Sequence, residues 1–146
     1  MTRSEVRTLI NDAVDALAQS TAFNAGRITE FNSQPGKTYP FAWLETLKDS
    51  PDLTAQQLPI SNWDCLLIIA KKDETDSLPV QYEALIDACD EIAKKIAVKI
   101  NLVIQGYKLI TLTGQHFEPF VKKLADCTSG IEYSFVLSVP DTTNRC

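Results

Sequence analysis

Between Asn62 and Val103 the chain reads NWDCLLIIAKKDETDSLPVQYEALIDACDEIAKKIAVKINLV, and this stretch limits the fold more than any other. Trp63–Ala70 is a mainly apolar run, with Leu66, Leu67, Ile68 and Ile69 in succession. Such a run suits one central strand covered on both faces. After the charged segment Lys71–Ser77, the residues Leu85, Ile86, Cys89, Ile92, Ala93, Ile96, Ala97 and Ile100 recur at spacings of three and four. That spacing predicts a helix from Pro79 to about Asn101, with the proline in the first turn where no N–H is needed. Acids Glu83, Asp87, Asp90 and Glu91 come early and Lys94, Lys95 and Lys99 late. This order complements the helix dipole and predicts Asp90–Lys94 and Glu91–Lys95 pairs. A buried strand and a one-sided helix of this length satisfy each other by packing together.

The remaining segments add layers to that unit. Thr2 and Glu5 fit a capping box ahead of Val6, Leu9, Ile10, Ala13, Val14, Leu17 and Ala18, the apolar face of a first helix. Its opposite face carries Arg3, Arg7, Asn11, Asp12, Asp15 and Gln19, which solvation explains without a partner. Gln19-Ser20 and Asn24-Ala25-Gly26 mark its end and the approach to a strand at Arg27–Asn32, which Gln34-Pro35-Gly36 breaks. Thr38–Thr46 reads as a strand with Tyr39, Phe41 and Trp43 on one face and Pro40 at its start or on an edge. Those aromatics are read as core packed under a helix in preference to a stacking platform for bases or sugars. Lys48–Ser61 is long for a connection between strands and retains Leu53, Leu58 and Ile60. Two readings stand for it: ordering against a partner, or folding back over its own domain.

Past the long helix, Tyr107–Thr113 reads as a strand interrupted by Gly114. Gln115–Thr128 fits either a short helix or a strand with Pro119 at an edge. Ile131–Val139 alternates cleanly, with Ile131, Tyr133, Phe135, Leu137 and Val139 on one face, and Pro140 ends it. The order α-β-β-β-α-β-(β)-β predicts an α+β two-layer sandwich, a mainly antiparallel sheet with both helices packed on one face. Residues 1–146 are expected to form a single domain, with a long loop at 48–61 and a flexible C-terminal tail at 140–146.

Composition narrows the functions. Fourteen Lys+Arg against nineteen Asp+Glu give a formal charge of −5, which argues against a surface built to neutralise nucleic-acid phosphates. No apolar segment reaches the roughly 20 residues that cross a bilayer, and the N-terminus lacks a signal-peptide core. A soluble protein made in the cytoplasm is the expectation. Cys65, Cys89, Cys127 and Cys146 show no C-x-x-C spacing, and Cys65 and Cys89 fall on apolar faces as small core residues. The single histidine, His116, lies in a different segment from Cys65 and Cys89, so no thiol–imidazole pair is expected. There is no Gly-rich phosphate loop, H-E-x-x-H or G-x-S-x-G motif. The expectation is a protein without catalytic, cofactor-binding or metal-binding residues.

One resemblance spans nearly the whole chain. The early helix, the strand Tyr39-Pro40-Phe41-Ala42-Trp43-Leu44, the apolar strand after a long loop, the helix beginning near Leu78-Pro79 and the closing Gly130-Ile131-Glu132-Tyr133-Ser134-Phe135-Val136-Leu137 resemble the tail terminator, or tail-completion, proteins of long-tailed bacteriophages. The resemblance implies a small α+β virion protein of the tail or neck, assembled in the host cytoplasm. It implies a homo-oligomeric ring, commonly a hexamer, that caps the tail tube protein and joins it to the head-side connector. Membrane and sequence-specific nucleic acid are not expected as partners, though DNA would pass through the lumen. On this reading a subunit makes its contacts with long loops and arms. The candidate interaction loop comprises Asp49, Asp52, Leu53, Gln56, Gln57, Leu58 and Ile60, and the candidate C-terminal arm Asp141, Asn144 and Arg145. The competing expectations are another neck or head-closure adaptor and an unrecognised small-molecule-binding or enzymatic α+β domain.

Overall fold

The computed structural model describes residues 1–17, 22–26, 40–51, 60–72, 79–106, 110–120 and 128–140. Its elements are α1 (Arg3–Asp15), β1 (Ala22–Gly26), β2 (Phe41–Glu45), β3 (Lys48–Asp49), β4 (Ile60–Lys72), α2 (Pro79–Ile104), β5 (Thr111–Phe120) and β6 (Thr128–Pro140). The six strands form one open sheet in the order β1-β2-β4-β6-β5, with β3 also paired to β4. Every pairing is antiparallel except β1–β2. This is the expected α+β two-layer sandwich.

Burial explains the two helices. In α1, the Thr2 side chain accepts from the Glu5 N–H while the Glu5 carboxylate accepts from the Thr2 N–H, which completes the capping box. Val6, Leu9, Ile10, Ala13 and Val14 are buried on one face. Along α2, Cys89, Ile92, Ala93, Ile96, Ala97, Ile100 and Ile104 form the buried stripe, and the helix runs three residues past Asn101 because Ile104 still reaches the core. Each fully buried isoleucine there contributes roughly 2 kcal/mol of burial free energy. The two salt bridges, Asp90–Lys94 at 2.6 Å and Glu91–Lys95 at 3.0 Å, lie on the outer side.

The helices share one core with the sheet residues Ala42, Leu44, Trp63, Cys65, Leu67, Ile69, Ile131, Tyr133, Phe135, Leu137 and Val139. At the centre, β4 and β6 pair from Ile60↔Pro140 to Lys72↔Thr128 without a break. The opposite sheet face carries a second, smaller cluster of Phe41, Trp43, Ile68, Ala70 and Phe120, with Leu66 packed against it. Phe41 and Trp43 stack with ring centroids 6.0 Å apart and are buried as expected, but on the face opposite α1 and α2 and not under either helix, because Ala42 and Leu44 take the helix side of the strand; Tyr39 lies outside the described residues.

Two bulges set which side chains reach the helix layer. Between the pairs Leu44↔Leu67 and Lys48↔Asp64, the chain advances four residues against three on β4. The extra residue lets both Leu44 and Leu47 enter the main core, although strict alternation would put them on opposite faces. On β5 the step from Thr113 to His116 faces only Val136 to Ser134, with Gly114 at φ 63°. A glycine supplies that left-handed backbone without a Cβ penalty. Leu112 and Phe117 consequently both pack against the main core.

Several expected boundaries move. A strand forms at Ala22–Gly26, so Asn24-Ala25-Gly26 is itself paired backbone and not only the approach to a strand; the strand expected at Arg27–Asn32 lies outside the described residues. The Ala22–Gly26 strand pairs in parallel with β2, from Ala22↔Phe41 to Gly26↔Glu45, against the expectation that sequential strands run antiparallel. Phe23, between the small residues Ala22 and Ala25, is its one large apolar side chain, too little for periodicity to reveal. β5 starts at Thr111 and runs through Gly114 to Phe120, which resolves the described part of the ambiguous segment as an edge strand containing Pro119. The apolar strand reaches from Ile60 to Lys72, longer than expected at both ends, and it is covered on both faces only in part: Asp64 is exposed and Leu66 half-buried.

Candidate interaction surfaces

The expected long loop is shorter than 48–61. Lys48 and Asp49 form β3, paired with Asp64 and Trp63, while Ile60 and Ser61 belong to β4. Ser50 is held by Asn62 twice: its N–H donates to the Asn62 carbonyl at 2.9 Å, and its carbonyl accepts from Asn62 Nδ2 at 3.0 Å. Asn62 Oδ1 in turn accepts from the Ser138 hydroxyl at 2.6 Å. Of the candidate loop residues, Asp49 and Ile60 therefore anchor the segment to the sheet. Asp52, Leu53, Gln56, Gln57 and Leu58, and the arm residues Asp141, Asn144 and Arg145, lie outside the described residues.

Next to this anchor two buried polar atoms lack hydrogen-bond partners, Asp49 Oδ1 and Trp63 Nε1. They belong to residues paired across β3 and β4. The Trp63 ring is covered by Arg3, whose guanidinium carbon lies 5.3 Å from the ring centroid and whose Nε donates to the Leu47 carbonyl at 3.3 Å. A cation over an indole face at that range is attractive. Arg3 thus ties the start of α1 to the turn between β2 and β3.

Beside Arg3 opens a cleft of about 340 Å³, lined by Arg3, Ser4, Arg7, Gly26, Glu45 and Leu47, among others. One wall is the first two turns of α1, and the other is the end of β1 with the β2–β3 turn. Glu45 is already engaged, its Oε1 accepting from the Thr46 N–H at 3.1 Å. Arg7 is exposed and, among the described residues, makes no hydrogen bond or ion pair. Neither arginine was assigned a partner from the sequence. A signal was nevertheless there: basic residues in the opening turns face the positive end of the helix dipole, where cations are disfavoured.

Among the described residues the groups capable of chemistry are dispersed or buried. Cys65 and Cys89 are free and buried. Burial, reinforced by the nearby Asp64 charge, pushes the Cys65 thiol up to about 12. Burial pushes Cys89 up to about 11, partly offset by the Lys71 charge and a backbone hydrogen bond from Lys71. Thiols shifted in this direction are poor nucleophiles at neutral pH. Tyr133 is also raised, by burial first and then by Cys65, and its hydroxyl donates to Gln115 Oε1 at 2.7 Å. His116 is exposed on the β5 edge, paired in register with Ser134 on the sheet face away from the helices. Among the described residues no group of three His, Cys, Asp or Glu side chains is placed to hold a metal ion, and no helix is long and apolar enough to cross a membrane.

Compared with known proteins, the sequence matches no protein-family model and no curated protein.

Proposed function

We propose that the protein is a structural subunit of a long-tailed phage virion, a tail terminator that forms a ring on the end of the tail tube and joins it to the head-side connector. The observation that carries this reading is the order of elements in which the resemblance lies: an early helix, the Tyr39–Leu44 strand, an apolar strand after a long connection, a long helix and the closing Gly130–Leu137 strand. The architecture supports it, because thirteen-residue β4 and β6 under two helices form a slab from which the connection between β3 and β4 departs. Such a slab holds its shape while peripheral segments join neighbours. The dispersal of titratable groups among the described residues favours work done through surfaces over work done at a reaction centre.

The test is reconstitution. Purified protein is expected to form rings in solution or to decorate the ends of isolated tail tubes, seen by negative-stain microscopy and by mass. Because Asp49 and Ser50 are part of the sheet anchor, the informative deletion is Asp52–Gln57, which keeps β3. That variant is expected to fold with an unchanged thermal transition and to lose ring formation or tube capping. Unimpaired capping would remove the loop from the interface. A stable monomer that ignores tail tubes and binds a metabolite would replace the whole reading with that of a ligand-binding domain.

A further inference from the structure

We propose that the cleft beside α1 receives the acidic first half of α2 from a second copy of this chain, with Arg7 facing Glu83 and Asp87. This rests on the ring reading and specifies one of its contacts. Three observations converge on it.

First, the cleft is concave and carries two arginines, Arg3 and Arg7, against one carboxylate, Glu45, and the Arg7 guanidinium on its wall has no partner among the described residues. Arg3 and Arg7 are four residues apart in the opening turns of α1, so both charges address the same side, at the end of the helix where a cation costs stability. An incoming carboxylate reverses that penalty: it pairs with Arg7 and also meets the positive end of the helix dipole.

Second, the same molecule carries an unmatched acidic pair. On the exposed side of α2, Asp90 and Glu91 are neutralised by Lys94 and Lys95. Glu83 and Asp87, two turns and one turn earlier, are exposed and have no ion pair among the described residues. They stand four residues apart, matching the spacing of Arg3 and Arg7. Like charges at that spacing repel within one helix, and a facing cationic pair relieves the repulsion.

Third, the two surfaces lie on different elements of one subunit. A contact that seats the α2 of one copy in the cleft of the next is heterologous, and where its rotation closes it makes a ring. The chain's net charge of −5 makes non-specific self-association unfavourable, so a locally complementary patch is what would fix orientation.

Charge reversal and its repair test the contact. Assembly of the wild type, Arg7→Glu, the double variant Glu83→Arg/Asp87→Arg and the combination of all three would be measured by sedimentation and by tube capping, with thermal melts confirming that each variant folds. Each reversal alone is expected to weaken association by about tenfold or more, with the combination regaining most of the loss. Assembly of the wild type that is indifferent to Arg7→Glu overturns this contact and leaves the ring reading standing. Loss in both single reversals without recovery in the combination overturns the pairing of cleft with α2. A wild type that neither self-associates nor caps tubes overturns the ring and this contact together.

Discussion

β4 and β6 are the same length and paired along all of it, yet they bury their side chains differently. β6 opens with Ser129 and Gly130 both buried and then alternates, with Ile131, Tyr133, Phe135, Leu137 and Val139 buried and the residues between them half-covered. β4 alternates at first, with Trp63 and Cys65 buried beside exposed Asp64, and then buries Leu67, Ile68, Ile69 and Ala70 in succession. The difference shows that the second sheet face is apolar at one end only. There Phe41, Trp43, Ile68, Ala70 and Phe120 form their own cluster, and Trp43 Nε1 donates to the Gly26 carbonyl at 3.1 Å. At the other end the same face presents Asn62, Asp64, Ser138 and Thr111, and hydrogen bonds such as Ser138 to Asn62 replace apolar contact.

The sharpest way to break the comparison is at the row Phe41, Ala70, Gly130 and Phe120, where the registers place two small residues between two aromatics. A Cβ on Gly130 would lie 1.9 Å from the Ile69 carbonyl oxygen and 3.0 Å from Ala70 Cα, both backbone atoms of the partner strand. Gly130→Ala must therefore push β4 and β6 apart where both sheet faces are packed. It is expected to cost about 3 kcal/mol or more, read as a lowered urea midpoint, with loss of the folded state as the extreme outcome. A variant as stable as the parent would show that this approach is not required.

Next in size is the contrast between adjacent leucines. Leu67 is fully buried under the helices, whereas Leu66 is half-covered at the border of the smaller cluster. Leu67→Ala is expected to cost about 2–5 kcal/mol and Leu66→Ala about 1 kcal/mol, measured by chemical denaturation. Equal costs would mean that the second face is packed as thoroughly along β4 as the first.

The last effect is absent at neutral pH and appears only in alkali. Cys65 and Cys89 keep their protons in the folded protein to about 12 and about 11, above their value in the unfolded chain. Above about pH 8.5 the unfolded state releases these protons while the folded state retains them, so stability falls as pH rises. Below that pH both states hold the protons and the contribution is fully present. The slope is expected to approach 1.4 kcal/mol per pH unit per thiol, roughly, and to shrink in Cys65→Ala. Urea titrations at roughly pH 7, 9 and 10.5 compare the two proteins; identical slopes would show that Cys65 is not the group responsible.

The candidate surfaces were legible unevenly. Loop length and the retained apolar residues pointed to 48–61, but local spacing could not reveal that Lys48–Asp49 pairs with β4, because a two-residue strand has no period of its own. Arg3 and Arg7 looked like members of a solvated face because a helix pattern records which side is polar and not what stands opposite. Their cleft exists only because β1 and the β2–β3 turn come alongside α1.

The chain by itself determined the two helices, the capping box, the two salt bridges on α2, the alternating closing strand and the α+β class. All of these follow from interactions between residues near in sequence or from a period repeated many times. Tertiary structure decided the parallel β1–β2 pair, the two bulges, the uneven second face of the sheet and the close approach at Gly130. Each depends on a partner strand distant in sequence, whose register is set by the whole buried face and leaves no periodic mark on the residues that meet it.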